Sequence, residues 1–135
     1  MAAHKNLRLV LVTPEKTLLD QPVNGLRFPL YDGQIGVLPS RAPLVGRLGI
    51  GELLIEGENE SRSYFIDGGF AQVKGEVVTL LTNRAIPAEQ LTPAGAETAL
   101  ADATARKAVS DSEFQAKEKA ILRARQMLTL ARKAR

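Results

Sequence analysis

Hydrophobic and polar residues alternate in short runs along the first two thirds of the chain. In the segment 7–12, Leu7, Leu9 and Leu11 fall on one side and Arg8 on the other. A period of two residues is typical of a half-buried strand. Similar runs recur as far as residue 81, separated by glycine, proline and asparagine. Seven or more short strands with closely spaced turns predict an all-β sandwich or flattened barrel.

Glycines are expected to divide these strands. Short strands are predicted at 44–48 and 51–56, on either side of Gly49. The sequence Asp-Gly-Gly at 67–69 predicts a tight chain reversal, because glycine adopts positive φ without a steric penalty. Gly75 predicts the last hairpin of the β-region.

Beyond residue 86 the pattern changes to a helical period. Thr92 followed by Pro93 predicts the start of a first helix, since threonine caps helices and proline suits the first helical position. Ser110 and Glu113 form a capping box that predicts the start of a second helix. Val109 and Phe114, which flank this box, are also predicted to form a hydrophobic staple.

The apolar side of these helices is rich in alanine. Its members are Ala96, Ala99, Leu100, Ala103, Phe114, Ile121, Ala124, Leu128 and Ala131. Alanine favours helix formation but buries little apolar surface, so the pattern predicts stable helices with a weak mutual interface. We therefore predict a β-sandwich domain at 1–86 and a C-terminal antiparallel two-helix hairpin at 87–135, with the hairpin able to move.

Composition excludes several kinds of active site. The 135-residue chain has no cysteine and one histidine, His4, so neither a disulfide nor a zinc site is expected. No phosphate-binding loop, nucleophile elbow or paired catalytic carboxylates are evident. Asp67 is interpreted as a turn residue. A group of glutamates is interpreted as a solvated sheet edge: Glu52, Glu56, Glu58 and Glu60. The chain is predicted not to be an enzyme by itself, with no catalytic or metal site.

The net charge of +3 is concentrated near the C-terminus. Seven basic residues lie there against Glu118 alone: Lys117, Lys119, Arg123, Arg125, Arg132, Lys133 and Arg135. Such a helix indicates an acidic partner, although a solvated helix face is the simpler alternative. Nucleic-acid binding is disfavoured, because aromatic residues for base stacking are absent from the basic region and the β-region is electrically balanced. An adaptor that docks on an acidic protein or nucleic acid is the alternative function.

The segment 33–44 reads Gly-Gln-Ile-Gly-Val-Leu-Pro-Ser-Arg-Ala-Pro-Leu. Glycines bracket a short apolar run, and Pro39 and Pro43 then end it, because proline cannot donate to a strand ladder. Spacing alone predicts a short strand and a stiff loop with Arg41 at its tip.

Two motifs carry a resemblance to a known family. The segment 33–44 resembles the Gly-x-Ile-Gly…Pro-x-His-Ala-Pro-Leu signature of the epsilon subunits of F-type ATP synthases, called delta in mitochondria. The segment 65–73, Phe-Ile-Asp-Gly-Gly-Phe-Ala-Gln-Val, resembles the family's Gly-Gly-Phe motif, and Val-Val-Thr-Leu-Leu follows at 77–81. Arg41 stands where most members have histidine.

The resemblance implies a rotor subunit of the central stalk, at the cytoplasmic face of the bacterial inner membrane and bound to the membrane only through the complex. It implies a ten-stranded sandwich that contacts the gamma subunit and the ring of c-subunits, with the alpha/beta catalytic head as a further partner. The positions carried over for gamma and c-ring contact are Gln34, Arg41, Ala42, Pro43 and Leu44.

The resemblance also implies that the C-terminal helices can extend along gamma and inhibit ATP hydrolysis, with basic residues facing an acidic segment of the beta subunit. The candidates are Arg123, Arg125, Arg132 and Lys133. Some members bind ATP through an Ile/Leu-Asp-x-x-Arg-Ala motif. Here Thr92 replaces the aspartate and Gly95 replaces the arginine, so no nucleotide cofactor is expected.

Overall fold

The computed structural model describes residues 7–37, 43–57 and 59–133, and within these ranges it contains eight strands and two α-helices. The strands are β1 (Leu7–Val12), β2 (Thr17–Val23), β3 (Gly25–Leu30), β4 (Gly33–Val37), β5 (Leu44–Glu56), β6 (Ser61–Lys74), β7 (Val77–Thr82) and β8 (Ala85–Pro87). A 3-10 helix at Ala88–Gln90 leads to α1 (Pro93–Ala105) and α2 (Asp111–Lys133).

The strands form a single hydrogen-bonded sheet in the order β2-β1-β7-β6-β5-β3-β4, and β8 pairs with β6. β1 and β7 are parallel, whereas β5 and β6 are antiparallel. The sheet encloses a main core of buried side chains: Leu7, Leu9, Leu11, Val23, Leu26, Phe28, Val37, Leu48, Leu53, Ile55, Ile66, Ala71, Val73, Val78 and Leu80. The prediction of an N-terminal β-sandwich followed by two helices is confirmed.

The sheet closes over this core because its two longest strands change the face that they bury. On β5 the main core takes Leu48 and then Leu53, while on β6 it takes Ile66 and then Ala71. In both strands, even-numbered residues face the core in the first half, and odd-numbered residues face it in the second half. Since the side chains of a strand alternate between faces, each strand must twist or bend at this point.

This geometry corrects two expectations from the sequence. The segments 44–48 and 51–56 are one continuous strand, β5, and residues 67–69 lie within β6 instead of reversing the chain. Gly68 and Gly69 do have positive φ, at 71° and 116°, but they bend the strand without ending it. The described residues contain eight strands, where the resemblance implied ten. Dividing β5 and β6 at the bend accounts for the difference.

The predicted helix starts are confirmed. The hydroxyl of Thr92 accepts a hydrogen bond from the backbone N–H of Gly95 at 3.1 Å. At α2, the N–H of Glu113 donates to the hydroxyl of Ser110 at 3.2 Å, and the N–H of Ser110 donates to Glu113 Oε1 at 3.0 Å. Val109 and Phe114, the two residues of the predicted staple, are both exposed.

The two helices bury mainly alanine, as the pattern predicts: Ala96, Ala103, Ala124 and Ala131, together with Leu130. Leu130 and Ala131 also join a second cluster with Phe65, Ala88 and Leu91, against which Ile50, Ile86 and Met127 pack. This second cluster joins α2 to the outer side of β5 and β6. The division at residues 86 and 87 stays a prediction.

Candidate partner-binding surfaces

Three of the residues carried over for gamma and c-ring contact are described: Gln34 in β4, Pro43 directly before β5, and Leu44 at the first position of β5. Gln34 and Pro43 are exposed, whereas Leu44 is half-buried and packs against the main core. Arg41 and Ala42 lie outside the described residues. The side chains of Gln34 and Pro43 are therefore accessible to a partner, and that of Leu44 is accessible only in part.

A row of outward-facing side chains crosses four strands of the sandwich. Val12 of β1 pairs with Leu81 of β7, Leu81 pairs with Phe70 of β6, and Phe70 pairs with Arg47 of β5. Phe70 is 59% exposed and Leu81 is 50% exposed. We call Val12, Leu81, Phe70 and Arg47 the outer row.

The outer row is extended by an aromatic residue. The guanidinium carbon of Arg47 lies 4.7 Å from the centroid of the Tyr31 ring, a cation–π contact. Tyr31 is 70% exposed. A groove runs from these residues to α2, where Lys119 and Leu122 line its far wall. Large exposed apolar side chains that adjoin one another are typical of a surface that binds another protein.

A second surface lies on the other half of β5 and β6, under α2. Ile50 pairs with Asp67, and Glu52 pairs with Phe65. Because the strands change faces at the bend, these four side chains point away from the main core. In each cross-strand pair, one carboxylate thus lies beside one apolar side chain, and the two carboxylates are diagonal neighbours. We call Ile50, Glu52, Phe65 and Asp67 the docking quartet.

Basic residues of α2 pair with both carboxylates of the quartet. Arg123 Nε lies 2.7 Å from Asp67 Oδ2, and Arg123 Nη2 lies 3.3 Å from Asp67 Oδ1. Lys133 Nζ lies 3.0 Å from Glu52 Oε1. The Asp67 and Glu52 side chains are only 17% and 16% exposed. Such shielding from water makes charge-assisted hydrogen bonds stronger than those on an open surface.

The environment of Glu52 favours its ionised form. Burial raises the pKa of this carboxyl, but hydrogen bonds from Ser63 and Lys133 and the charges of Lys133 and Arg27 outweigh burial and hold the pKa below its usual value. Glu52 is therefore a carboxylate at neutral pH and attracts the ammonium group of α2.

The other two candidate cations are placed differently. Arg132 Nη2 pairs with Glu97 Oε1 of α1 at 3.1 Å, in a contact between exposed side chains within the hairpin. Arg125 is exposed, and among the described residues it forms no ion pair. Among the described residues, the ion pairs thus separate the four candidates: Arg123 and Lys133 pair with the sandwich, Arg132 pairs within the hairpin, and Arg125 forms no ion pair.

Comparison with known proteins identifies the family. A model of the ATP synthase delta/epsilon chain β-sandwich domain matches residues 6–88. The ATP synthase epsilon chain of Rhodopirellula baltica is 42% identical over 127 residues, which cover 94% of this chain and 99% of the relative. This chain belongs to the ATP synthase epsilon family.

Solved structures of mitochondrial ATP synthases agree with this assignment. A chain of the Euglena gracilis enzyme, in an assembly described as OSCP/F1/c-ring, superposes with a TM-score of 0.85 at 27% identity, covering 93% of this chain and 81% of that one. A chain of the Tetrahymena thermophila central stalk and c-ring has a TM-score of 0.75 at 13% identity, covering 95% and 97%. The Tetrahymena likeness shows the fold alone.

Two positions that depart from the ATP-binding motif of some epsilon subunits have a structural role here. Thr92 caps α1 by accepting the N–H of Gly95. A β-carbon at residue 95 would lie 2.8 Å from the Thr92 hydroxyl oxygen, so the cap favours glycine at this position. Within 7–37, 43–57 and 59–133, no group of acidic residues and histidines could hold a metal ion, and no helix is long and apolar enough to cross a membrane.

Sequence reasoning missed the docking quartet of this epsilon-family chain. Asp67 was expected in a turn but lies in β6, and Glu52 was expected at a solvated edge but is mostly buried. A signal was present, because Ile50 and Glu52 alternate with the core residues of their strand, and so do Phe65 and Asp67. A strand with apolar residues on both faces indicates that something covers its outer side.

Proposed function

We propose that the chain is a non-catalytic central-stalk subunit of an F-type ATP synthase, which links the gamma subunit to the c-ring and restrains ATP hydrolysis through its C-terminal helices. Membership of the epsilon family supports the role in the complex. Like the rest of the stalk, the chain would lie near the alpha/beta head and at the cytoplasmic face of the bacterial inner membrane, reaching the membrane only through its partners.

The exposed outer row is the observation that supports gamma binding best. Phe70 and Leu81 lie side by side on a rigid sheet, and exposed apolar pairs of this kind anchor protein interfaces. Val45 is 75% exposed on the same side of β5, near the start of that strand. The exposed apolar surface therefore continues along β5 toward Pro43 and Leu44, two of the positions proposed, with Gln34, Arg41 and Ala42, for gamma and c-ring contact.

The helical hairpin supports the inhibitory role. Its alanine seam and its few contacts with the sandwich permit α1 and α2 to leave while remaining helical. Release would free Arg123 and Lys133 for an acidic partner such as the beta subunit, alongside Arg125 and Arg132. Since Arg123 and Lys133 pair within the chain, the docked helix has less positive charge available for nucleic acid than the sequence indicates.

Co-purification with gamma tests the role of the outer row. We expect the substitution of both Phe70 and Leu81 by aspartate to weaken gamma binding by about 30-fold or more, the effect of removing an interface hot spot. Both side chains are exposed, so the sandwich should still fold. Thermal unfolding of the variant would verify this, and affinity for purified gamma would be measured by titration.

Val109→Asp is the matched control, because Val109 is an apolar residue that is 85% exposed outside the outer row. Its affinity for gamma should equal that of the unchanged chain. Full affinity in the Phe70→Asp/Leu81→Asp variant would show that gamma binds elsewhere. Loss of the complex after nuclease treatment would favour the nucleic-acid adaptor instead.

A further inference from the structure

We propose that Asp67 and Glu52 act as a two-point electrostatic latch, which sets the fraction of molecules whose α2 helix is docked on the sandwich. The inference rests on the proposed function only for the effect of undocking on ATP hydrolysis. The latch itself is a property of the single chain, and it involves two of the four basic residues considered above.

The two cations of the latch are far apart along the helix. Arg123 and Lys133 are ten residues apart, or about 15 Å at the rise of an α-helix. Between them, Met127 and Leu130 pack into the second cluster with Ile50 and Phe65. One ion pair alone would allow the helix to pivot about it, whereas two pairs on either side of an apolar contact fix its direction across β5 and β6.

Few apolar side chains of α2 contribute to docking, so the two ion pairs supply a separate contribution that can be measured. Of the side chains on α2, only Ala124, Leu130 and Ala131 are buried, and two of these are alanines. The carboxylates are more shielded than the cations: Arg123 is 32% exposed and Lys133 is 57% exposed. Undocking would therefore remove both cations from carboxylates that the protein shields from water and competing ions.

The latch also excludes other uses of the same cations. While Arg123 is paired with Asp67 in a two-bond contact, its guanidinium cannot make that contact with an acidic partner, and Lys133 is limited in the same way by Glu52. The Arg132–Glu97 pair lies within the hairpin, so it can persist when the hairpin moves as a unit. Binding of Arg123 and Lys133 to an outside acid must therefore compete with docking, by the linkage that governs any two-state element.

The test measures docking in the isolated chain by the distance between two spin labels. The chain has no cysteine, so Ser61→Cys and Thr129→Cys, at exposed positions on β6 and α2, introduce the only labelling sites. Asp67→Asn with Glu52→Gln should raise the ratio of undocked to docked molecules by about tenfold or more, as expected for the loss of charge-assisted hydrogen bonds. An unchanged distance distribution would overturn the latch.

The control variant is Glu97→Gln, which breaks the Arg132 pair inside the hairpin. Its distance distribution should match that of the unchanged chain. An equal increase in undocked molecules for Glu97→Gln would contradict the latch, because any lost surface pair would then have the same effect. Unfolding of the sandwich, followed by its own thermal transition, should be unchanged in all variants.

Charge reversal gives a second measurement. Asp67→Arg alone should undock the helix, and adding Arg123→Asp should restore the short distance. Failure of the reversed pair to dock more than Asp67→Arg alone would count against a direct ion pair. In the assembled complex, the Asp67→Asn/Glu52→Gln variant should hydrolyse ATP more slowly. If undocking occurs without that decrease, the latch stands and the inhibitory role fails.

Discussion

Gly69→Ala is expected to lower the free energy of unfolding by about 3 kcal/mol or more. A β-carbon at residue 69 would lie 1.8 Å from the carbonyl oxygen of Leu81, and Gly69 has a φ of 116°. The β6–β7 pairing would have to separate at this point. Chemical denaturation of the purified variant measures the loss.

Gly75→Ala separates the steric clash from the unusual backbone conformation. Gly75 has a φ of 60°, but a β-carbon there would meet no atom within 4 Å. We expect this control to cost only about 1–2 kcal/mol, the penalty of the left-handed conformation. If Gly69→Ala is no more destabilising than Gly75→Ala, β6 and β7 do not approach each other as closely at the bend as the structure shows.

Leu130→Ala is expected to destabilise the docked hairpin by about 2–4 kcal/mol, the usual cost of truncating a buried leucine. Leu130 is 3% exposed and packs in the second cluster with Phe65. Since this cluster joins α2 to the sandwich, the loss should appear as faster hydrogen exchange in α2 with little change in β1 or β7.

Leu122→Ala is the control on the same helix. Leu122 is 44% exposed and lies outside both apolar clusters, so its truncation should cost less than about 1 kcal/mol. Equal rates of hydrogen exchange of α2 in the two variants would show that the second cluster does not hold the hairpin on the sandwich. Faster exchange throughout the sandwich of Leu130→Ala would show that the hairpin and the sandwich unfold together.

Features determined by neighbouring residues could be predicted from the sequence. The alternation at 7–12 predicts β1, and Gly75 predicts the last hairpin. The side chains of Thr92 and Ser110 predict where α1 and α2 begin. Each depends on residues that are close in sequence, so the relevant contact is contained in the pattern itself. The class of fold followed from these elements, and the two motifs identified the family.

Features that depend on the path of long strands could not be predicted in this way. The Asp-Gly-Gly sequence at 67–69 is as compatible with a turn as with a bent strand, because both need positive φ at glycine. The side of the sheet on which Asp67 lies depends on the bend that β6 shares with β5. Its pairing with Arg123 depends on the path of the chain over the next 56 residues. No local signal connects the two residues, so their ion pair could not be predicted from the sequence.

In the proposed function, the sandwich holds the chain in the rotor, and the C-terminal helices inhibit ATP hydrolysis once they leave the sandwich. The most direct test compares ATP hydrolysis by complexes assembled with the full chain and with a chain that lacks residues 110–135. We expect the two complexes to assemble equally and the complex with the truncated chain to hydrolyse ATP severalfold faster. Equal rates in equally assembled complexes would contradict it.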